Sequence, residues 1–283
     1  MNTSENKKIQ KVLITAGPTY ERIDPVRFIG NYSSGKMGIA LAEECLNRGM
    51  EVELVLGPVN EFVYRNLSSP LLHITHIESA RQMYEACMEI YPKMDAAILC
   101  AAVADFTPET TADQKIKRKG EMMIRLVPTQ DIAASLGKIK RTEDITLDGN
   151  IMKRQLLVGF ALETNDEEEN ARGKMERKNF DFIVLNSLQD EGAGFRHDTN
   201  KITIFHQHKQ PHTKSALPCS PVNLITRHIG VNSMQTFITA VHLNITIQPP
   251  LVQQTRAKPN PSKKGRANGK PTRHQQEASR ATA

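Results

Sequence analysis

The chain has 283 residues, enough for one large domain or two small ones, and 39% hydrophobic content supplies a core. No apolar run approaches the roughly 20 residues that span a bilayer, and residues 1–11 are polar, so no membrane span or signal peptide is expected and the cytoplasm is the default location. The net charge of +6 hints at nucleic acid, but residues 207–283 hold 11 Lys and Arg against one acid, Glu277, leaving residues 1–206 at a net −4; the basicity belongs to the tail, and no nucleic-acid partner is expected of the body.

Residues 11–16 (Lys-Val-Leu-Ile-Thr-Ala) read as a strand, and residues 35–48 as an amphipathic helix. Strands are expected at 51–56 and 71–77, with a helix at 79–91. Residues 95–103 form a continuous apolar run of the kind buried on both faces of a parallel sheet. Residues 115–118 and 122–127 flank Lys119-Gly120 as a hairpin candidate. A short helix at 131–140, a strand at 155–161, a helix at 166–178 and strands at 182–186 and 201–205 follow. The alternation predicts an α/β fold, a Rossmann-like doubly wound and mostly parallel sheet with a hairpin or flap insertion. Ligands on such sheets bind outside the carboxyl ends of the strands, where the loops after Ala16, Val103 and Ala161 open. Residues 1–10 read as a flexible start, 11–206 as the folded domain, and 207–283 as a basic, Pro-rich and mostly disordered tail. Cys45, Cys87, Cys100 and Cys219 form no C-x-x-C pair; three lie in apolar stretches and read as reduced, buried thiols.

Gly30-Asn31-Tyr32-Ser33-Ser34-Gly35-Lys36-Met37-Gly38 stands between the first strand and the first helix. Such a loop aims backbone N–H groups and a helix dipole at one spot, where an anion can sit. It falls one residue short of a P-loop, because Met37 stands where a hydroxyl would hold magnesium. A dinucleotide site needs a carboxylate at the end of the second strand, and that strand ends in Gly57-Pro58. The bland alternative is that Gly35 and Gly38 only permit close helix–strand packing. Asp105, at the lip of the Ala101-Ala102-Val103-Ala104 strand end, suits a ligand hydroxyl, amine or metal, or equally an N-cap or Asx-turn. The cluster Lys115-Ile116-Lys117-Arg118-Lys119 suits either a solvated face or a phosphate clamp. Lys174 and Lys178, four apart on a helix, share a face that can neutralise a triphosphate or pair with Glu167 to Asn170. Phe160 faces the core or a base.

Seven segments then carry a resemblance: Ile14 to Thr19, Asp24-Pro25-Val26-Arg27, Asn31 to Gly38, Ala101 to Phe106, Lys115-Ile116-Lys117, Val158 to Thr164, and Gly192-Ala193-Gly194-Phe195. Each is weak alone. In this order, from Lys11 to Phe205, they resemble bacterial phosphopantothenate–cysteine ligase (phosphopantothenoylcysteine synthetase), the ligase half of the bifunctional coenzyme A biosynthesis flavoprotein. The resemblance implies a Rossmann-like homodimer that joins 4′-phosphopantothenate to L-cysteine through an acyl-cytidylate, with CTP and Mg²⁺. It implies two catalytic residues: Asn31, which holds the activated acyl group, and Lys115, which binds CTP from a flexible clamp over the nucleotide. Asp105, Gln130, Asp131, Ile132, Ala133, Phe160, Lys174 and Lys178 match CTP-contacting positions. Asn31, Ser33, Ser34, Gly35, Ala101 and Ala102 lie where phosphopantothenate is expected. An ATP-dependent version of the same ligase and an NAD(P)-binding reductase stand as the alternatives.

The sequence departs from that family in three places. Thr129-Gln130 replaces a polar Asn-Pro pair before Asp131-Ile132. The resemblance starts near Lys11, without the decarboxylase half, so no FMN is expected. No Asp/Glu cluster marks magnesium ligands, and the metal is expected to be held mainly by the triphosphate. After Phe205 the basic tail replaces the family's further strand and closing helix, as a change of reading frame near His206 would produce.

Overall fold

The computed structural model describes residues 9–147, 150–163, 166–187, 199–206 and 225–230. The chain divides into two compact units, Met1–Ile247 and Gln248–Ala283, and every described residue belongs to the first.

Its centre is an eight-stranded sheet in the order β14-β13-β12-β11-β6-β1-β4-β5. Six strands run parallel: β1 (Lys11–Ala16), β4 (Glu51–Leu56), β5 (Leu72–His76), β6 (Ala96–Leu99), β11 (Leu156–Glu163) and β12 (Phe182–Ser187). Taken alone, these six follow the 3-2-1-4-5-6 order of doubly wound nucleotide-binding sheets. β13 (Thr199–His206) and β14 (Ile225–Gly230) close one edge antiparallel.

The parallel strands are apolar because both faces are covered. Along β1, Val12, Ile14 and Ala16 point into one core, with α1 (Lys36–Asn47) and its Ile39, Leu41, Ala42 and Cys45. Leu13 points into the other, with Met83 and Cys87 of α2 (Ala80–Ile90), Ile132 and Leu136 of α3 (Ile132–Ile139), and Ala171 and Met175 of α4 (Glu167–Arg177). Each such large aliphatic side chain contributes about 1.5–3 kcal/mol by leaving water. Cys45 and Cys87 are free and buried, and burial pushes both thiols up to about 12; Cys100 is free and half-buried, and Cys219 lies outside the described residues.

The strand and helix expectations agree with these elements to within a few residues, except that the run at 95–103 is a strand only over Ala96–Leu99. Four departures matter. The first is the hairpin β2 (Tyr20–Arg22) and β3 (Phe28–Gly30), which occupies the long approach to the glycine loop. The second concerns the flap. Residues 115–118 are not a strand; the paired strands are β7 (Phe106–Pro108) and β8 (Leu126–Pro128), with a long loop between them. An alternation of Lys, Ile, Lys, Arg and Lys gives a strand no face to bury, although Gly120 does turn the chain, at φ 70°. Third, a small hairpin, β9 (Ile145–Leu147) with β10 (Asn150–Met152), precedes β11. Fourth, β14 lies within the tail expected to be mostly disordered and to replace the family's further strand; its polar Thr-Arg-His interior hides the alternation.

At the amino end of the sheet, Asp181 accepts the Leu157 N–H at 2.8 Å and Lys140 Nζ at 2.9 Å, with both side chains buried. Lys140 also donates to the Asn179 carbonyl. A buried cation stripped of its carboxylate is far costlier than the pair is beneficial. Asp181→Ala should therefore lower unfolding free energy by about 3–5 kcal/mol, measured by urea denaturation; a loss below about 1 kcal/mol would contradict this account of the pair. Asp131 caps α3, accepting the Ala134 N–H at 2.9 Å and pairing with Lys178 at 2.9 Å. Burial pushes its carboxyl pKa up, but the Ala134 N–H and Lys178 outweigh this and hold it below the ordinary range. A lowered folded pKa gives stability that is complete above the unfolded value near 4 and fades as pH falls through the folded one. Asp131→Ala should cost about 1 kcal/mol at pH 7, since the half-exposed pair adds little to the cap, and the difference should shrink steadily below pH 4.

Candidate functional site

The chain leaves β1 and β6 in opposite directions, β1 toward α1 and β4, β6 toward the flap, α3 and β11. Their carboxyl ends therefore flank a switch point, where open α/β sheets bind ligands. Its floor is stitched by backbone. Ala102 N–H donates to the Gly17 carbonyl at 2.9 Å, and Pro18 bridges Ala102 in parallel. Two buried threonines carry the stitch further. Thr15 Oγ1 accepts the Ala101 N–H at 3.2 Å, and Thr19 Oγ1 accepts the Ala104 N–H at 2.9 Å. Ala101 and Ala102 are half-buried on this floor, with methyl groups as their only side chains, so a ligand can lie against the strand end.

Above the floor stands the glycine loop. Gly35 has φ 73°, a left-handed conformation that starts α1, and a Cβ there would collide with Val59. Gly38 lies one turn in, and a Cβ on it would strike Ala16, so glycine lets the helix end rest on the end of β1. The first turn of α1 has no acidic residue and no side-chain cap at Gly35. Its positive end is thus not neutralised by a cap and favours an anion. Ser33 Oγ accepts the Gly35 N–H at 3.3 Å, which leaves the hydroxyl proton uncommitted by that bond. Asn31, exposed at the end of β3, donates through Nδ2 to the Val103 carbonyl at 2.9 Å. That bond ties the glycine loop to the loop after β6 and holds the amide across the crevice.

The structure brings the acyl-side candidates Asn31, Ser33, Gly35, Ala101 and Ala102 to one sheet edge, joined by the contacts above, and Ser34 lies in the same loop. Among the nucleotide-side candidates it joins Asp131 to Lys178. Ile132 has its side chain in the core, which leaves only its backbone for a ligand. Ala133 is half-buried, Gln130 exposed, and Phe160 half-buried against the α1-side core. Asp105 is exposed, and a strand rather than a helix follows it, so it is no N-cap. Its carbonyl accepts the Thr129 N–H at 2.9 Å, while the Thr129 hydroxyl donates to the Ala104 carbonyl at 2.7 Å. The Thr129-Gln130 departure thus still fastens the strand-end loop. Lys174 lies on α4 and Lys178 caps its end. Lys115 is exposed on the flap loop.

Thr15, Thr19, Asp24 and Arg27, which lie in the resembling segments, also carry structural bonds of this site and its flap. A threonine within an otherwise apolar buried strand is a usable signal, because a buried hydroxyl needs a partner. Asp24 and Arg27 pair locally, but their link to Ile116, distant in sequence, leaves no local signal. Among the described residues no group of three or more His, Cys, Asp or Glu side chains is gathered for a metal, and no helix is long and apolar enough to cross a membrane.

Residues 7–220 match the family described as DNA/pantothenate metabolism flavoprotein C-terminal domain. A cysteine/cysteine sulfinic acid decarboxylase from an unknown prokaryotic organism is 58% identical over 196 residues, 69% of this chain and 50% of that protein. The coenzyme A biosynthesis bifunctional protein CoaBC of Bacillus subtilis (strain 168) is 46% identical over 206 residues, 72% of this chain and 46% of that protein. The chain thus spans about half the length of these relatives. The crystal structure of the C-terminal domain of a CoaBC protein superposes with a TM-score of 0.60 at 32% identity, covering 86% of this chain and 99% of that one. With the family matched across most of its length and the fold shared with a solved member, the chain belongs to the DNA/pantothenate metabolism flavoprotein C-terminal domain family.

Proposed function

We propose that this chain is a phosphopantothenate–cysteine ligase that activates the carboxylate with CTP. The observation that carries the reading is the Asn31–Val103 hydrogen bond, which sets an amide across the switch point between the α1 N-terminus and the Ala101-Ala102 floor. That arrangement suits an anionic substrate with a carboxylate to be activated. The CoaBC relatives, named for coenzyme A biosynthesis, support the pathway.

The chemistry follows in two displacements. A carboxylate oxygen of 4′-phosphopantothenate attacks the α-phosphorus of CTP, forming a mixed anhydride and releasing pyrophosphate. The cysteine amine then attacks the acyl carbon, the amide forms, CMP leaves, and the amine sheds a proton. The chain's task is to hold the reactants in line and offset charge. The α1 N-terminus with Ser33, Ser34 and Gly35 takes the phosphopantothenate side. Asn31 holds the acyl oxygen as it gains charge. Lys115, Lys174 and Lys178 face the triphosphate, with Asp105, Gln130, Asp131, Ile132, Ala133 and Phe160 along the nucleotide. Magnesium would be held mainly by the triphosphate oxygens, since no carboxylate cluster is gathered for it among the described residues, and would offset their charge. Lys178 already pairs with Asp131, and a surface pair of this kind is cheap to rearrange. We place the reaction in the cytoplasm and on a homodimer, for which exposed Val26, Phe28 and Tyr32 on and around the β2–β3 hairpin offer apolar surface.

Pyrophosphate release should require 4′-phosphopantothenate and CTP together, with ATP a poor replacement; no release from folded protein would sink the reading. Carbon dioxide release from cysteine or cysteine sulfinate instead would favour the activity named for the prokaryotic relative. Asn31→Ala should still form the acyl-cytidylate but convert it to amide on the order of 10²-fold more slowly, as removal of one oxyanion donor does. A variant that no longer consumes CTP would show that Asn31 acts in the first step.

A further inference from the structure

The flap loop is laid along the β2–β3 hairpin. Thr111 Oγ1 donates to the Arg22 carbonyl at 3.1 Å, and the Ala112 N–H to the Ile23 carbonyl at 3.0 Å. Further along, both backbone groups of Ile116 are held. Its N–H donates to Asp24 Oδ2 at 3.1 Å, and its carbonyl accepts from Arg27 Nη2 at 2.6 Å. The Asp24 side chain is fully buried. Its Oδ1 accepts the N–H groups of Val26 at 2.8 Å and Arg27 at 2.9 Å, and the Arg27 guanidinium stands 2.6 Å from Oδ2. A buried carboxylate is tolerated only when donors satisfy it. One of its four donors is Ile116, which reaches Asp24 across 92 positions of sequence. The carboxylate is therefore complete only while the flap loop is docked.

We infer that Asp24 is a positioning residue for the reaction: through the Ile116 backbone it fixes where Lys115 stands over the nucleotide. The inference rests on the proposed reading for the task of Lys115. Clamping the N–H of residue 116 fixes the peptide plane that joins it to residue 115. Lys115 is then anchored on its C-terminal side, and its ammonium is presented from a narrower range of positions. Without the tether the loop would have to be ordered each time nucleotide bound, which weakens binding.

Asp24→Asn separates this role from turn-making. The amide oxygen still accepts from the Val26 and Arg27 N–H groups, while its NH₂ opposes both the Ile116 N–H and the Arg27 guanidinium, donor against donor, so the flap tether is lost and the turn is kept. Ile116→Pro removes the same N–H and leaves Asp24 intact, on a half-buried loop residue whose replacement does not touch the core. The experiment uses the full chain of wild type and both variants, with two readouts: tryptic cleavage after Lys117 and Arg118 under native conditions, and pyrophosphate release titrated with CTP and with 4′-phosphopantothenate. Both variants should be cut about tenfold faster and show a KM for CTP raised about tenfold, the scale of one charge-assisted hydrogen bond. Their kcat should stay within about threefold and the KM for phosphopantothenate should not move. Unchanged cleavage would overturn the tether. Faster cleavage with kcat and both KM values degraded alike would show a general structural role and overturn the positioning claim. Failure of the ligase reading itself shows separately, as wild type that releases no pyrophosphate whatever its cleavage rate.

Discussion

Two neighbouring parallel strands whose chains depart to opposite sides of the sheet are the constraint on which this molecule depends. β1 and β6 pair along their length, and then one chain turns toward α1 while the other turns toward the flap and α3. A crevice at that edge is a consequence of topology. What the residues add is control over its floor. Thr15 and Thr19 satisfy the Ala101 and Ala104 amides from beneath, so the strand-end loop is held without large side chains of its own. Space is thereby kept for a ligand against backbone.

Charge is managed by leaving some of it unsettled. The α1 N-terminus has neither a side-chain cap nor an acid in its first turn, whereas the shorter α3 is capped by Asp131 and α2 by Ser79. In the proposed reading that difference separates a helix end reserved for an anion from helix ends that serve stability. Asp131 shows both sides of the matter, since it caps α3 and engages Lys178 at the same time. Buried charge elsewhere is closed off completely: Asp181 with Lys140 at the far edge of the sheet, and Asp24 with Arg27 under the flap.

The parallel core was legible in the sequence because its strands are apolar runs and its helices amphipathic, as with residues 11–16, 35–48 and 182–186. The acyl-side residues were legible because Asn31 to Gly38 lie together in one loop. The β2–β3 hairpin was not, since each strand is three residues long and offers no period. The flap was placed too far along because Gly120 marks a turn within the loop, whereas the pairing strands, Phe106–Pro108 and Leu126–Pro128, are short and contain prolines at their ends. Asp24 escaped for a different reason. Its significance comes from a backbone amide distant in sequence, and no local pattern encodes that.

In the proposed reading the crevice activates a carboxylate by joining it to the α-phosphate of the nucleotide. Oxygen isotope transfer tests this most directly. With 4′-phosphopantothenate labelled by ¹⁸O in its carboxylate, turnover in the presence of cysteine and CTP should place one labelled oxygen in CMP and none in pyrophosphate. Label in inorganic phosphate, with CDP as the nucleotide product, would mean attack at the γ-phosphate and would contradict the account.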